Sequence, residues 1–82
     1  MAYDTVRKRV VDALIMVADK TQLNSEGRKV LVLPREELAQ LVGTAKETTI
    51  RVLSDLKKDK IVKTEGSKIS ILNEEALKAI KF

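Results

Sequence analysis

Residues 34–56 read PREELAQLVGTAKETTIRVLSDL, two short amphipathic segments on either side of Gly43. In the first segment Leu38, Leu41 and Val42 form an apolar face, and Ala39 is small where a second helix would have to cross closely. Glycine takes the left-handed backbone conformation that a helix C-terminus often needs, so Gly43 ends the first helix and the chain reverses within about three residues. Thr44 restarts it. The stretch reads as a helix-turn-helix.

On a wheel of about 100° per residue with Lys46 at zero, Thr49, Val52, Leu53 and Leu56 share a sector centred at about 290°. That sector is the expected core face. Glu47, Arg51, Ser54 and Lys58 lie opposite, at roughly 80° to 140°, with Ile50 at about 40° and Lys46 at the origin. The outward face is therefore polar. Arginine donates two parallel hydrogen bonds to guanine O6 and N7, and a carboxylate accepts from cytosine N4, so Arg51 with Glu47 one turn away suits a major groove.

Outward from this motif, Val6, Val10, Ala13, Leu14, Val17 and Ala18 recur at helical spacing and predict a long amphipathic helix over residues 3–20. Residues 21–29, TQLNSEGRK, read as a polar loop, and residues 30–33 as a short apolar strand stopped by Pro34. Proline suits a helix start, and Glu36 and Glu37 follow where the helix dipole favours acids. Residues 61–64 and 68–72 flank Glu65, Gly66 and Ser67 as a hairpin, with Gly66 at positive φ and with Ile69 and Ile71 facing inward. Asn73 caps a last helix over residues 74–81, whose Leu77 and Ile80 close the core. The expected fold is mainly α with a small antiparallel hairpin. It is a winged helix-turn-helix of three core helices, a wing and a short C-terminal helix, in one domain over residues 1–82.

Composition narrows the functional classes. The 82 residues are 44% hydrophobic and carry a net charge of +4, enough for one small core and favourable to a polyanionic partner. The absence of cysteine and histidine excludes disulfides, zinc fingers, thiol chemistry and histidine general bases. Glu36 and Glu37 are adjacent, about 100° apart on a helix, and so form no acid–base pair; no phosphate-cradling glycine loop is present, and no catalysis is expected. No apolar run approaches the roughly 20 residues of a membrane span, and no signal peptide opens the chain, so the expected compartment is the cytoplasm. Tyr3 and Phe82 are the only aromatic residues. Without a platform for stacking single-stranded bases, duplex DNA is favoured.

The RKRVVDAL stretch, LPREELAQLVGT, KETTIRVL, the hairpin and the final acidic helix start together resemble the DNA-binding domain of the Crp/Fnr family of bacterial transcription regulators. The resemblance covers nearly the whole chain. It implies that a recognition helix over residues 45–58 enters the major groove and that Glu47 and Arg51 of the segment Lys46-Glu47-Thr48-Thr49-Ile50-Arg51 read bases. It further implies that Arg35 contacts a phosphate, that loop 21–29 lies where some family activators touch RNA polymerase, and that an upstream sensory domain and dimerisation helix complete a homodimeric parent. No cofactor is expected in the domain itself; an effector such as a cyclic nucleotide would bind the upstream part.

Three positions depart from the family pattern. Lys46 replaces an arginine, which leaves a phosphate contact or a looser base contact. Thr49 replaces Val or Ile, which a hydroxyl bonded back to its own helix would accommodate. Ile50 replaces a small residue and could touch a thymine methyl.

Each assignment has a plainer counterpart. Thr44 and Glu47 have capping-box spacing, so Glu47 either folds back on the helix start or reads a base. Arg51 either pairs with Asp55 or Glu47 on a solvated face or contacts DNA. Thr48 reaches a phosphate or faces solvent, and the same holds for Arg35, Ser67 and Lys68, the last two at the wing tip. Lys57, Lys58, Lys60 and Lys63 read as a solvated face. The competing function is a winged-helix protein-interaction module without DNA readout. With no heptad run available for pairing, the isolated chain is expected to be a monomer, and the dimeric parent to read a palindrome.

Overall fold

The computed structural model describes residues 3–80, in the order α1 (Tyr3–Asp19), β1 (Lys29–Val32), α2 (Arg35–Val42), α3 (Lys46–Lys58), β2 (Val62–Glu65), β3 (Lys68–Ile71) and α4 (Glu74–Lys78). Helix α1 packs against α2, α3, α4 and β1, which explains why its apolar face is broad. Val6, Val10, Ala13, Leu14 and Ala18 are buried as their spacing predicts, and Val11 joins them at the edge of the stripe. Val17 only half-buries against the core.

The hairpin does not stand alone. The strands form one antiparallel sheet in the order β1-β3-β2, with Leu31 opposite Ile69 and Val32 opposite Lys68. On the other side of β3, Val62 faces Ile71 and Glu65 faces Lys68. Because side chains alternate along a strand, Leu31, Val62, Ile69 and Ile71 turn inward together. Lys29, expected as the last loop residue, is instead the first of β1. The remaining loop is organised by Asn24, whose Oδ1 accepts from the backbone N–H groups of Glu26 at 2.9 Å and Arg28 at 3.0 Å.

Lys29 then anchors the sheet to α4 through Glu74, Nζ to Oε2 at 3.1 Å, and Lys78 joins Glu74 and Asp19, each at 3.4 Å. The hydrogen bond from Lys29 holds the Glu74 carboxyl below the usual carboxylate range, against some desolvation and with Lys78 adding to the effect. A carboxylate depressed on folding stabilises above its unfolded pKa, and this contribution fades as pH falls through the folded value.

Helix α4 is capped as predicted, with Asn73 Oδ1 accepting from Ala76 N–H at 3.0 Å. It is shorter than expected, ending at Lys78; Leu77 is buried and Ile80 packs at the core margin. Lys81, the expected helix end, lies outside the described residues.

Gly66 has φ +59° and opens a two-residue turn with Ser67. Positive φ at the first central position, with none at Ser67, matches a type II′ hairpin turn. A Cβ on Gly66 would meet nothing within 4 Å, so any penalty there is the backbone's own. Gly66→Val should cost about 1–2 kcal/mol and lower the thermal midpoint by several degrees. Circular dichroism melting checks this, and an unchanged midpoint would show that the turn has been misassigned.

Candidate nucleic-acid interface

The two motif helices are joined by three residues. Gly43, at φ +78°, donates its N–H to Ala39 O at 2.8 Å, and Thr44 N–H reaches the same carbonyl at 3.1 Å. The second bond spans five residues, as in a Schellman closure, so Thr44 belongs to the end of α2. This corrects the expectation that Thr44 starts the next helix. Ala45, with φ −73° and ψ 149°, is the N-cap of α3 and makes no side-chain cap bond. The Thr44–Glu47 capping box is absent, and Thr44→Ala has no cap to remove.

On α2 the buried residues are Leu38, Ala39 and Val42, while Leu41 is 55% exposed. Ala39 is buried beside Leu38 and Val42, and the inward face is centred among these three. At about 100° per residue this leaves Leu41 more than a quarter-turn from the centre of that face.

The inward face of α3 is the predicted one: Thr49, Val52, Leu53 and Leu56 are all buried. Thr49 is accommodated by its hydroxyl, which donates to Ala45 O at 3.3 Å beside the backbone bond from Thr49 N at 3.2 Å. With that face fixed against the core, Glu47, Ile50, Arg51, Ser54 and Lys58 are exposed together on the opposite side. Thr48 lies between the faces and is half-buried.

The remaining candidates gather where the starts of α2 and α3 approach the wing. Arg35 Nη1 donates to Gly66 O at 2.6 Å, tying the first turn of α2 to the hairpin tip. Lys46 Nζ lies 3.2 Å from Glu36 Oε1. Pro34, Arg35, Glu36, Lys46, Gly66 and Ser67 line one shallow cleft of about 390 Å³, and Lys68 follows immediately at the start of β3. Arg35, Lys46 and Ser67, three positions far apart in sequence, are thus brought together. From the sequence Glu36 is no more than an acid in a first helical turn. Its partner lies ten residues away, and only the tight turn at Gly43 makes that pairing possible.

Lys57, Lys58, Lys60 and Lys63 are exposed, as their reading as a solvated face requires. Lys63 pairs with Glu65 at 3.4 Å. Lys60 is the one non-glycine residue among those described with positive φ, +59°; it takes the place glycine often fills after a helix, and Ile61 N–H closes back on Leu56 O at 3.0 Å. Among the described residues no helix is long and apolar enough to cross a membrane, and no cluster of acidic residues has the geometry of a metal site.

Comparison with known proteins gives a consistent picture. The model of the Crp-like helix-turn-helix domain matches residues 8–80. A CRP/FNR-family transcriptional regulator from Thermus thermophilus superposes with a TM-score of 0.80 at 29% identity, over 88% of this chain and 38% of that one. The catabolite activator protein of the same organism gives 0.80 at 25% identity, over 93% and 33%. A further CRP-family regulator from Thermus thermophilus, at 24% identity and a TM-score of 0.79 over 89% and 38%, shares the fold. The chain therefore spans about 33–38% of the length of these regulators. No curated protein matches the sequence.

Proposed function

The chain belongs to the Crp-like helix-turn-helix family, and on that premise we propose that it binds duplex DNA sequence-specifically as the reading module of a bacterial transcription regulator. The observation that carries this reading is the exposed face of α3, where Glu47, Ile50 and Arg51 stand together on a helix whose other side is locked into the core. In the proposed docking α3 lies in the major groove. Arg51 donates to a guanine, Glu47 accepts from a cytosine and Ile50 touches a thymine methyl. Lys46 sits at the groove edge, within reach of a base or the adjacent phosphate. Arg35, Thr48, Ser67 and Lys68 lie along the phosphates, where they set register without reading sequence.

The remainder of the regulator would sense its signal, and no cofactor is assigned to this module. The Asn24-centred loop is proposed as a surface for RNA polymerase, and the cytoplasm as the compartment.

Fluorescence anisotropy with a labelled duplex across a salt series tests the reading. Duplex binding through phosphates weakens steeply with salt, whereas a protein interface with an apolar centre does not. Lys68→Ala should weaken binding to all sequences alike and shallow the slope of log K against log salt by about one unit. A Lys68→Ala slope equal to the parent's would remove the wing from the phosphate contacts.

A further inference from the structure

We propose that Glu36 is a built-in competitor of the DNA backbone, holding the Lys46 ammonium until a phosphate oxygen displaces its carboxylate. The inference rests on the DNA-binding reading above and assigns a residue that reading leaves out.

Three observations support it. Glu36 Oε1 lies 3.2 Å from Lys46 Nζ, and both side chains remain largely open to solvent, 74% and 50% exposed respectively. An incoming anion can therefore reach the pair without any rearrangement of the core. The pair also lines the cleft shared by Arg35, Gly66 and Ser67, so the carboxylate stands among the groups proposed to meet the backbone. Finally, Glu37 shares the first turn of α2 and can complement the helix dipole there, so exchanging Glu36 for a neutral residue still leaves an acid at the helix start.

The exchange has a simple electrostatic consequence. In the free protein the formal charges of Arg35, Lys46 and Glu36 leave the cleft with less positive charge than its two cations carry alone. A surface pair of this kind is weak and screened by salt, so a closely placed phosphate can replace it. Lys46 then contributes to binding only after giving up its internal partner, which lowers affinity for every duplex whose backbone takes that ammonium.

Binding of a short labelled duplex of mixed sequence to the full chain separates the possibilities. The set comprises the parent, Glu36→Gln, Lys46→Ala and the double variant, each measured over a salt series, with melting curves to confirm folding. Glu36→Gln should tighten binding by about two- to fivefold at the lowest salt and steepen the salt slope by up to about 0.9. In the Lys46→Ala background the same change should have little effect. A Glu36→Gln variant with the parent's affinity and slope overturns the proposal while leaving the DNA-binding reading intact. A gain that persists in full without Lys46 also overturns it, because Glu36 would then act by direct repulsion alone. Absence of salt-dependent binding by the parent overturns both.

Discussion

Arg51→Ala should lose about 1–3 kcal/mol of binding to the preferred duplex and relax selection at a single base-pair position. The size follows from what the side chain is placed to do. Arg51 is exposed on α3, roughly 150° around the helix from the centre of the buried face formed by Thr49, Val52, Leu53 and Leu56, so it points out of the fold. The thermal midpoint should hardly move, since surface substitutions of this kind usually change stability by less than about 0.5 kcal/mol. Binding and folding thus separate cleanly at this residue. Lys68→Ala provides the contrast, because a lost phosphate contact weakens all sequences together. Selection from random duplexes decides the matter: recovery of an unaltered motif by Arg51→Ala would show that the arginine does not read a base.

The core face of α3 was legible in the sequence because four buried positions in a thirteen-residue helix leave little freedom of phase. Thr49 was legible for a related reason. A hydroxyl within a helix can always reach the carbonyl four residues back, so its burial needed no information from elsewhere in the chain. Asn73 and Gly66 belong to the same class, since a cap and a tight turn are settled by a few neighbouring residues.

What stayed hidden depended on distant partners or on competition at the turn. The pairing of β1 with β3 joins Leu31 to Ile69, and nothing local to residues 30–33 names that partner. Thr44 departs from its expected place because two motifs claim it. Its N–H closes α2 onto Ala39, and the chain then needs Ala45 in an extended conformation before α3 can begin. Leu41 departs from the expected face because Leu38, Ala39 and Val42 together form the buried side of α2, which leaves Leu41 turned away from it. At the candidate interface the outward face of α3 followed from its inward one. The Glu36–Lys46 pair and the Arg35 bond to Gly66 did not, because each spans the tertiary fold.

Fusing the chain to a parallel dimeric coiled coil should raise affinity for a palindrome by about 10² to 10⁴, provided the half-sites lie one DNA turn, about 34 Å, apart. The chain's long apolar helix is occupied, with Val6, Val10, Leu14 and Ala18 committed to its own core. The sheet edges β1 and β2 are four residues each and carry Lys29 and Lys63, which discourages pairing with a second copy. The isolated chain should therefore sediment as a monomer in dilute solution. With few phosphate contacts it should hold one half-site weakly, toward the nonspecific range of roughly 10⁻⁴ to 10⁻⁶ M. The described residues span 39 by 24 by 22 Å, and with the apolar helix committed to its own core, cooperation between two copies is expected to come from the added helices. Shifting the half-sites by half a turn moves one module to the opposite side of the duplex and should abolish most of the gain. Sedimentation and binding titrations test both parts: a tight dimer of the isolated chain, or a fusion indifferent to half-site spacing, is incompatible with α3 docked in successive major grooves.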